Sequence, residues 1–173
     1  MKRAWMLAVA AMMATVCLSP AATQQKPEGI LQMEKLNLLV GSWSYTETYA
    51  KGTGGTGTYT AQPGPGGYSL IIDFTTHMSG HDEIGHAILT WDPKEMAYKE
   101  YVAGNGFPGC AIFTGNWEGD TLTFHGEFEA SGGKMALKTQ YTEWTPKSIT
   151  IQEYYRVGDA PFQLLQTTKA TKP

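Results

Sequence analysis

The sequence predicts an all-β protein: one antiparallel β-barrel of roughly ten strands, preceded by a short N-terminal helix. Three observations lead there. Nine clusters of Gly, Pro, Asn, Asp and Ser punctuate the chain after Val40 at near-regular intervals. The segments between them are short and rich in β-branched and aromatic residues, with no second helix among them, so neighbours in sequence should pair in space. An open sheet of ten strands would curl or split and expose its edges, whereas closure removes them. A sandwich would call for longer crossover connections than these.

In chain order, Met1–Ala21 reads as a signal peptide. Lys2 and Arg3 give a basic start, an apolar run to Leu18 follows, and Ser19-Pro-Ala21 supplies small residues for cleavage. The run is shorter than the ~20 apolar residues of a membrane span, so no span is expected once the leader is removed. Cys17 would permit lipidation, but the branched Val16 before it is unlike a lipoprotein processing site. Residues 22–35 form a linker and the start of the short helix, read over Ile30–Val40, and 36–173 form a single barrel domain. Turns are expected at Lys51–Gly57, Pro63–Gly67, Ser79–Asp82, Asp92–Glu95, Gly104–Gly109, Glu118–Asp120, Ser131–Gly133, Thr145–Lys147 and Gly158–Pro161.

Composition bounds the partners. Of 13 Lys+Arg, two leave with the leader; the remaining 11 face 16 Asp+Glu, a balance of −5 without a basic run. That argues against nucleic acid and anionic membrane surfaces. One cysteine, Cys110, survives cleavage, so the core must suffice without disulfides. The expected location is periplasmic or secreted.

The strand opening the barrel alternates strictly: Trp43, Tyr45, Glu47 and Tyr49 share one face, Ser42, Ser44, Thr46 and Thr48 the other. A helix leading into Leu38-Leu-Val-Gly-Ser-Trp43 and then a β-meander resembles the calycin barrels, among which lipocalins open with Gly-x-Trp. With Gly80-His-Asp-Glu-Ile-Gly-His-Ala-Ile-Leu-Thr-Trp-Asp-Pro93 and Tyr98, and more weakly Gly115–Asp120 and Gln163–Lys169, the chain is similar to the exported bacterial domain-of-unknown-function 1579 family over about Leu36–Lys169. The resemblance implies a closed, lipocalin-like barrel able to hold a small ligand, and no particular reaction. Lipocalins pack an arginine on their Gly-x-Trp; Arg156, the only arginine outside the leader, is the candidate for that contact with Trp43.

Other motifs weigh less. Gly52–Gly57 and Gly104–Gly109 both fit Gly-x-Gly-x-x-Gly, but strand-like sequence follows each instead of the helix a dinucleotide needs, so both read as hairpin loops. His77, His81 and His86 lie close to Asp82 and Glu83, the residue types of a zinc or iron site. They straddle a turn and a strand, and a solvated loop is the expected reading. Haem barrels of the nitrobindin kind carry a late axial histidine, and no histidine follows His125. No cofactor and no metal are expected.

The candidate ligand site rests on glutamates set among aromatics. Glu47 lies with Trp43 and Tyr45, Glu143 with Tyr141, and Glu153 with Ile151 and Tyr155. If those faces point inward, the interior suits an apolar or amphiphilic molecule bearing a donor group; if outward, the acids are solvated. A buried Glu47 needs a partner, with His86, Tyr101 and Tyr155 as candidates. The expected binding set is therefore Trp43, Tyr45, Glu47, His86, Tyr101, Glu143 and Tyr155. Two other functions stay open: an enzyme using buried Glu or His groups, and a protein-interaction module using the outer face.

Overall fold

The structure, a computed structural model, describes residues 25–130 and 133–173, without the side chains of 128–130 and 133. The expected leader, Cys17 and the first residues of the linker lie outside the described residues. Helix α1 (Glu28–Glu34) and a 3₁₀ turn (Asn37–Leu39) precede ten strands. These are β1 (Gly41–Tyr49), β2 (Thr56–Pro63), β3 (Ser69–Met78), β4 (His81–Asp92) and β5 (Ala97–Gly104), then β6 (Phe107–Glu118), β7 (Thr121–Ala130), β8 (Gly133–Thr142), β9 (Ser148–Val157) and β10 (Gln163–Thr171). Each strand pairs antiparallel with its neighbours in sequence, and β1 pairs with β10 to close the barrel.

Two local expectations are corrected. The helix read over Ile30–Val40 is two pieces, because Leu36 leaves helical geometry (φ −94°, ψ 5°), which lets Leu36 and Leu39 both bury their side chains. The loop read over Gly104–Gly109 is only Asn105–Gly106; Gly104 already faces Phe107 in the ladder. Pro108 is tolerated within β6 because it falls in a bulge between the Gly104–Phe107 and Val102–Ala111 pairs, and β6 pairs with β7 only from Phe113 onward. Beyond Phe113–Gly126 the β6–β7 seam is open. The Asn105 amide ties the short turn to the neighbouring strand, donating to Asp82 O (2.9 Å) and accepting from Ile84 N (2.8 Å).

Inward positions are occupied in a way that keeps the interior wide. Four aromatic residues face a glycine on the adjacent strand: Tyr45 opposite Gly57, Phe74 opposite Gly85, Phe113 opposite Gly126 and Phe124 opposite Gly115. A Cβ on any of these glycines would come within 2.2–2.6 Å of its aromatic partner. Each ring therefore lies flat across the next strand instead of projecting into the centre.

One end of the barrel is shut. Met33, Leu36 and Leu39 seat against it fully buried, and Tyr98 donates from its hydroxyl to Gln32 O (3.0 Å), pinning α1 to β5. Trp43 is buried there, stacked on Tyr59 with ring centroids 5.5 Å apart, its indole N–H donating to Leu39 O (2.8 Å). The cation on this tryptophan is Lys172, whose Nζ sits 4.6 Å from the ring centroid and donates to Leu38 O (2.9 Å). Arg156 is not its partner. Ser148, at the start of β9, is level with Thr171 and so with Ser44, whereas Arg156 lies at the far end of β9, its guanidinium 4.9 Å from the Phe162 ring. Lys172→Ala should cost about 1 kcal/mol in urea unfolding, and Arg156→Ala should leave the tryptophan emission of the folded protein unchanged.

Candidate functional site

Closure of ten strands leaves more room than these inward side chains fill. A cavity of about 370 Å³ occupies the lumen above the plugged end, within the ~300–1,000 Å³ typical of small-molecule pockets. Leu39, Ile72, Phe74, Phe113, Leu137 and Ile151 supply apolar wall. Against them stand four carboxylates, Glu47 (β1), Glu83 (β4), Glu100 (β5) and Glu153 (β9), with the phenols of Tyr45, Tyr59 and Tyr141. Thr76, Thr139, Thr168 and Gln166 complete the polar lining, and among the described lining residues there is no Lys, Arg or His.

The acids are coupled through the lumen. Glu153 feels the negative charges of Glu47 and Glu83, and raises Glu100 in turn. Burial, with this repulsion, lifts the pKa of Glu47, Glu100 and Glu153 to about 7 each. Opposing contributions are smaller: Tyr141 hydrogen-bonds to Glu100, and Gln166 Nε2 donates to Glu153 Oε2 (3.1 Å). Tyr45 Oη lies 2.6 Å from Thr76 Oγ1, while burial pushes its pKa up. Two lining groups are left over: Tyr59 Oη and Gln166 Oε1 have no hydrogen-bond partner, and each residue is only 8% exposed. Buried polar atoms without partners cost ~1–3 kcal/mol apiece.

The residues expected from sequence divide accordingly. Tyr45 and Glu47 line the cavity. Trp43 shares their face but belongs to the plug beneath. His86 and Tyr101 are on the outside, because Gly85, Ala87 and Leu89 take the inner face of β4, and Tyr98, Glu100 and Val102 that of β5. His86 is paired there with Asp73. Glu143 leaves the alternation of β8 through a left-handed backbone (φ 51°), which turns it to the surface to accept from Thr150 Oγ1 (2.6 Å). Tyr155 keeps the parity of Glu153 but does not line the cavity; its hydroxyl donates to Gln163 Oε1 (3.4 Å).

Sequence reasoning missed Glu83, Glu100, Tyr59 and Gln166; it weighed Tyr141 and Glu153 on faces that could point inward but left both out of the expected binding set. Tyr98-Lys-Glu-Tyr-Val102 places an aromatic and a charged residue on both faces, so its alternation carries no direction. The signal lies one strand back, where β4 pairs Leu89 with Glu100. The three histidines near Gly80 do not converge: His77 pairs with Asp82 (2.9 Å) and His81 with Glu83 (3.7 Å), and His86 takes Asp73. Among the described residues no three His, Cys, Asp or Glu are grouped to hold a metal ion. Both glycine-rich stretches lie in or next to hairpins, Gly52–Gly57 between β1 and β2 and Gly104–Gly109 across β5 and β6.

Among solved structures, the chain is similar to Rv2717c from M. tuberculosis at 16% identity and a TM-score of 0.56, covering 82% of this chain and 96% of that one. It is also similar to the S-type phycobiliprotein lyase CPES from Guillardia theta, at 12% identity and a TM-score of 0.50, covering 84% and 96%. The fold is a calycin-like β-barrel. No protein-family model and no curated protein matches the sequence, so the likeness to the domain-of-unknown-function 1579 family rests on the stretches quoted above.

The raised carboxyls set a pH dependence. Folded Glu47, Glu100 and Glu153 hold protons that the unfolded chain releases above its ordinary value of 4.5. Stability therefore falls as pH rises from 4.5 to about 7, and the full cost is present above that. Glu100→Gln should melt above the parent protein at pH 8 and level with it at pH 4, by circular dichroism.

Proposed function

We propose that this protein is an exported binding protein that carries a small, partly apolar molecule in the barrel lumen. The observation that carries the reading is the cavity itself, an apolar-walled space of about 370 Å³ whose lining keeps buried polar atoms unpaired. A barrel serving only as an outer interaction surface gains nothing from flat-lying aromatics and unfilled volume. Export rests on the leader-like Met1–Ala21, and it fits with a domain that relies on packing alone for its stability. The proposed setting is the periplasm or the extracellular medium, and the proposed kinship is with the exported 1579 family.

One observation favours a second reading. Carboxyls held near pH 7 in a desolvated cavity are suited to general acid–base catalysis, and Glu47, Glu100 and Glu153 would then act on a molecule held by the same walls. Both readings require that the lumen admit a ligand. The neutral dye N-phenyl-1-naphthylamine should bind the full chain with enhanced emission. Ala87→Phe, which adds a ring to the inner face of β4, should weaken it at least tenfold while the barrel stays folded. Undiminished affinity in that variant would place the dye outside the lumen.

A further inference from the structure

We propose that the molecule held in the lumen is an organic cation, an amphiphilic amine whose ammonium is received by Glu153 with Glu47 and Glu100. This deepens the binding-protein reading and rests on it. Burying several ionised carboxylates together is unfavourable unless they take up protons or a positive charge joins them, and the described lining offers no cation. The groups facing the acids from the packed strands are the phenols of Tyr45, Tyr59 and Tyr141, which are electron-rich and neutral. Ring faces of that kind attract cations. His81 stands outside, at the rim beside Glu83.

Two further features point to a ligand with several N–H donors. Gln166 donates its amide to Glu153, and its buried Oε1, beside the same carboxylate, has no hydrogen-bond partner. Tyr59, also buried and unpaired, supplies a hydroxyl that can accept as well. An ammonium carries three donors and no acceptor, so Glu153 Oε, Gln166 Oε1 and a phenol form a complementary set. The carboxylates are too dispersed for one metal ion among the described residues. The apolar wall from Ile72, Phe74 and Phe113 then takes the hydrocarbon part of the amine. Above about pH 7, where Glu47, Glu100 and Glu153 are ionised, a carboxylate-bearing ligand such as a fatty acid would meet like charge.

The test is titration calorimetry of the full chain at pH 8 with three probes of one chain length: octylammonium, 1-octanol and octanoate. Octylammonium should bind at least thirtyfold more tightly than 1-octanol, and octanoate more weakly than either. Glu153→Gln should weaken octylammonium tenfold or more and leave 1-octanol within threefold, while Glu143→Gln, outside the cavity, should change neither. Octanol or octanoate binding as tightly as octylammonium would overturn the cation assignment, as would a Glu153→Gln effect equal on all three. If 1-octanol and the naphthylamine dye enter the lumen in that case, the binding-protein reading survives alone. If neither they nor octylammonium bind, both fall.

Discussion

Everything functional in this molecule follows from the pairing of β1 with β10. That ladder, from Ser44 opposite Thr171 to Tyr49 opposite Gln166, turns a meander into a closed surface with an inside and an outside. Without it Tyr49 and Gln166 would lie on opposite edges of an open sheet, and Glu47 and Glu153 would face water. Its seat is the plugged end, where Trp43 is held by Tyr59, by Leu39 O and by Lys172 from just beyond β10. A residue just beyond the last strand thus helps hold the first strand in register.

Closure would achieve little if the lumen were filled. The aromatic–glycine pairs prevent that by laying Tyr45, Phe74 and Phe113 along the wall, at the cost of the strand propensity each glycine gives up. The space so preserved is lined by acids whose mutual repulsion and burial work against folding above pH 7. Binding sites commonly keep such local destabilisation because the ligand offsets it.

Much of this was legible in the sequence, for physical reasons that differ by element. Strand count and order followed from turn chemistry: Asp92 Oδ1 accepts from Lys94 N and Glu95 N, and Thr145 Oγ1 from Ser148 N. The two faces of β1 were legible because serine and threonine alternate with aromatics, while which face turns inward, with Tyr45 and Glu47 at the cavity, came only from the closed barrel. His86 and Tyr101 were misplaced for one reason and Glu143 for another. On strands with aromatic or charged residues on both faces, direction is set by register with the neighbour, and at Glu143 by a backbone that leaves the strand. The cation on Trp43 was expected from the right chemistry and the wrong residue, since a lysine beyond the last strand serves as well as an arginine.

The central claim is that the acid-lined lumen is a built site for an amphiphilic cation, and a crystal structure of the full chain soaked with octylammonium tests it most directly. The account predicts the nitrogen within about 3 Å of the Glu153 carboxylate, next to Gln166 Oε1, with the alkyl chain along Phe74 and Phe113. A lumen closed by inward collapse of those rings, or an amine seated on the outer surface, would contradict it.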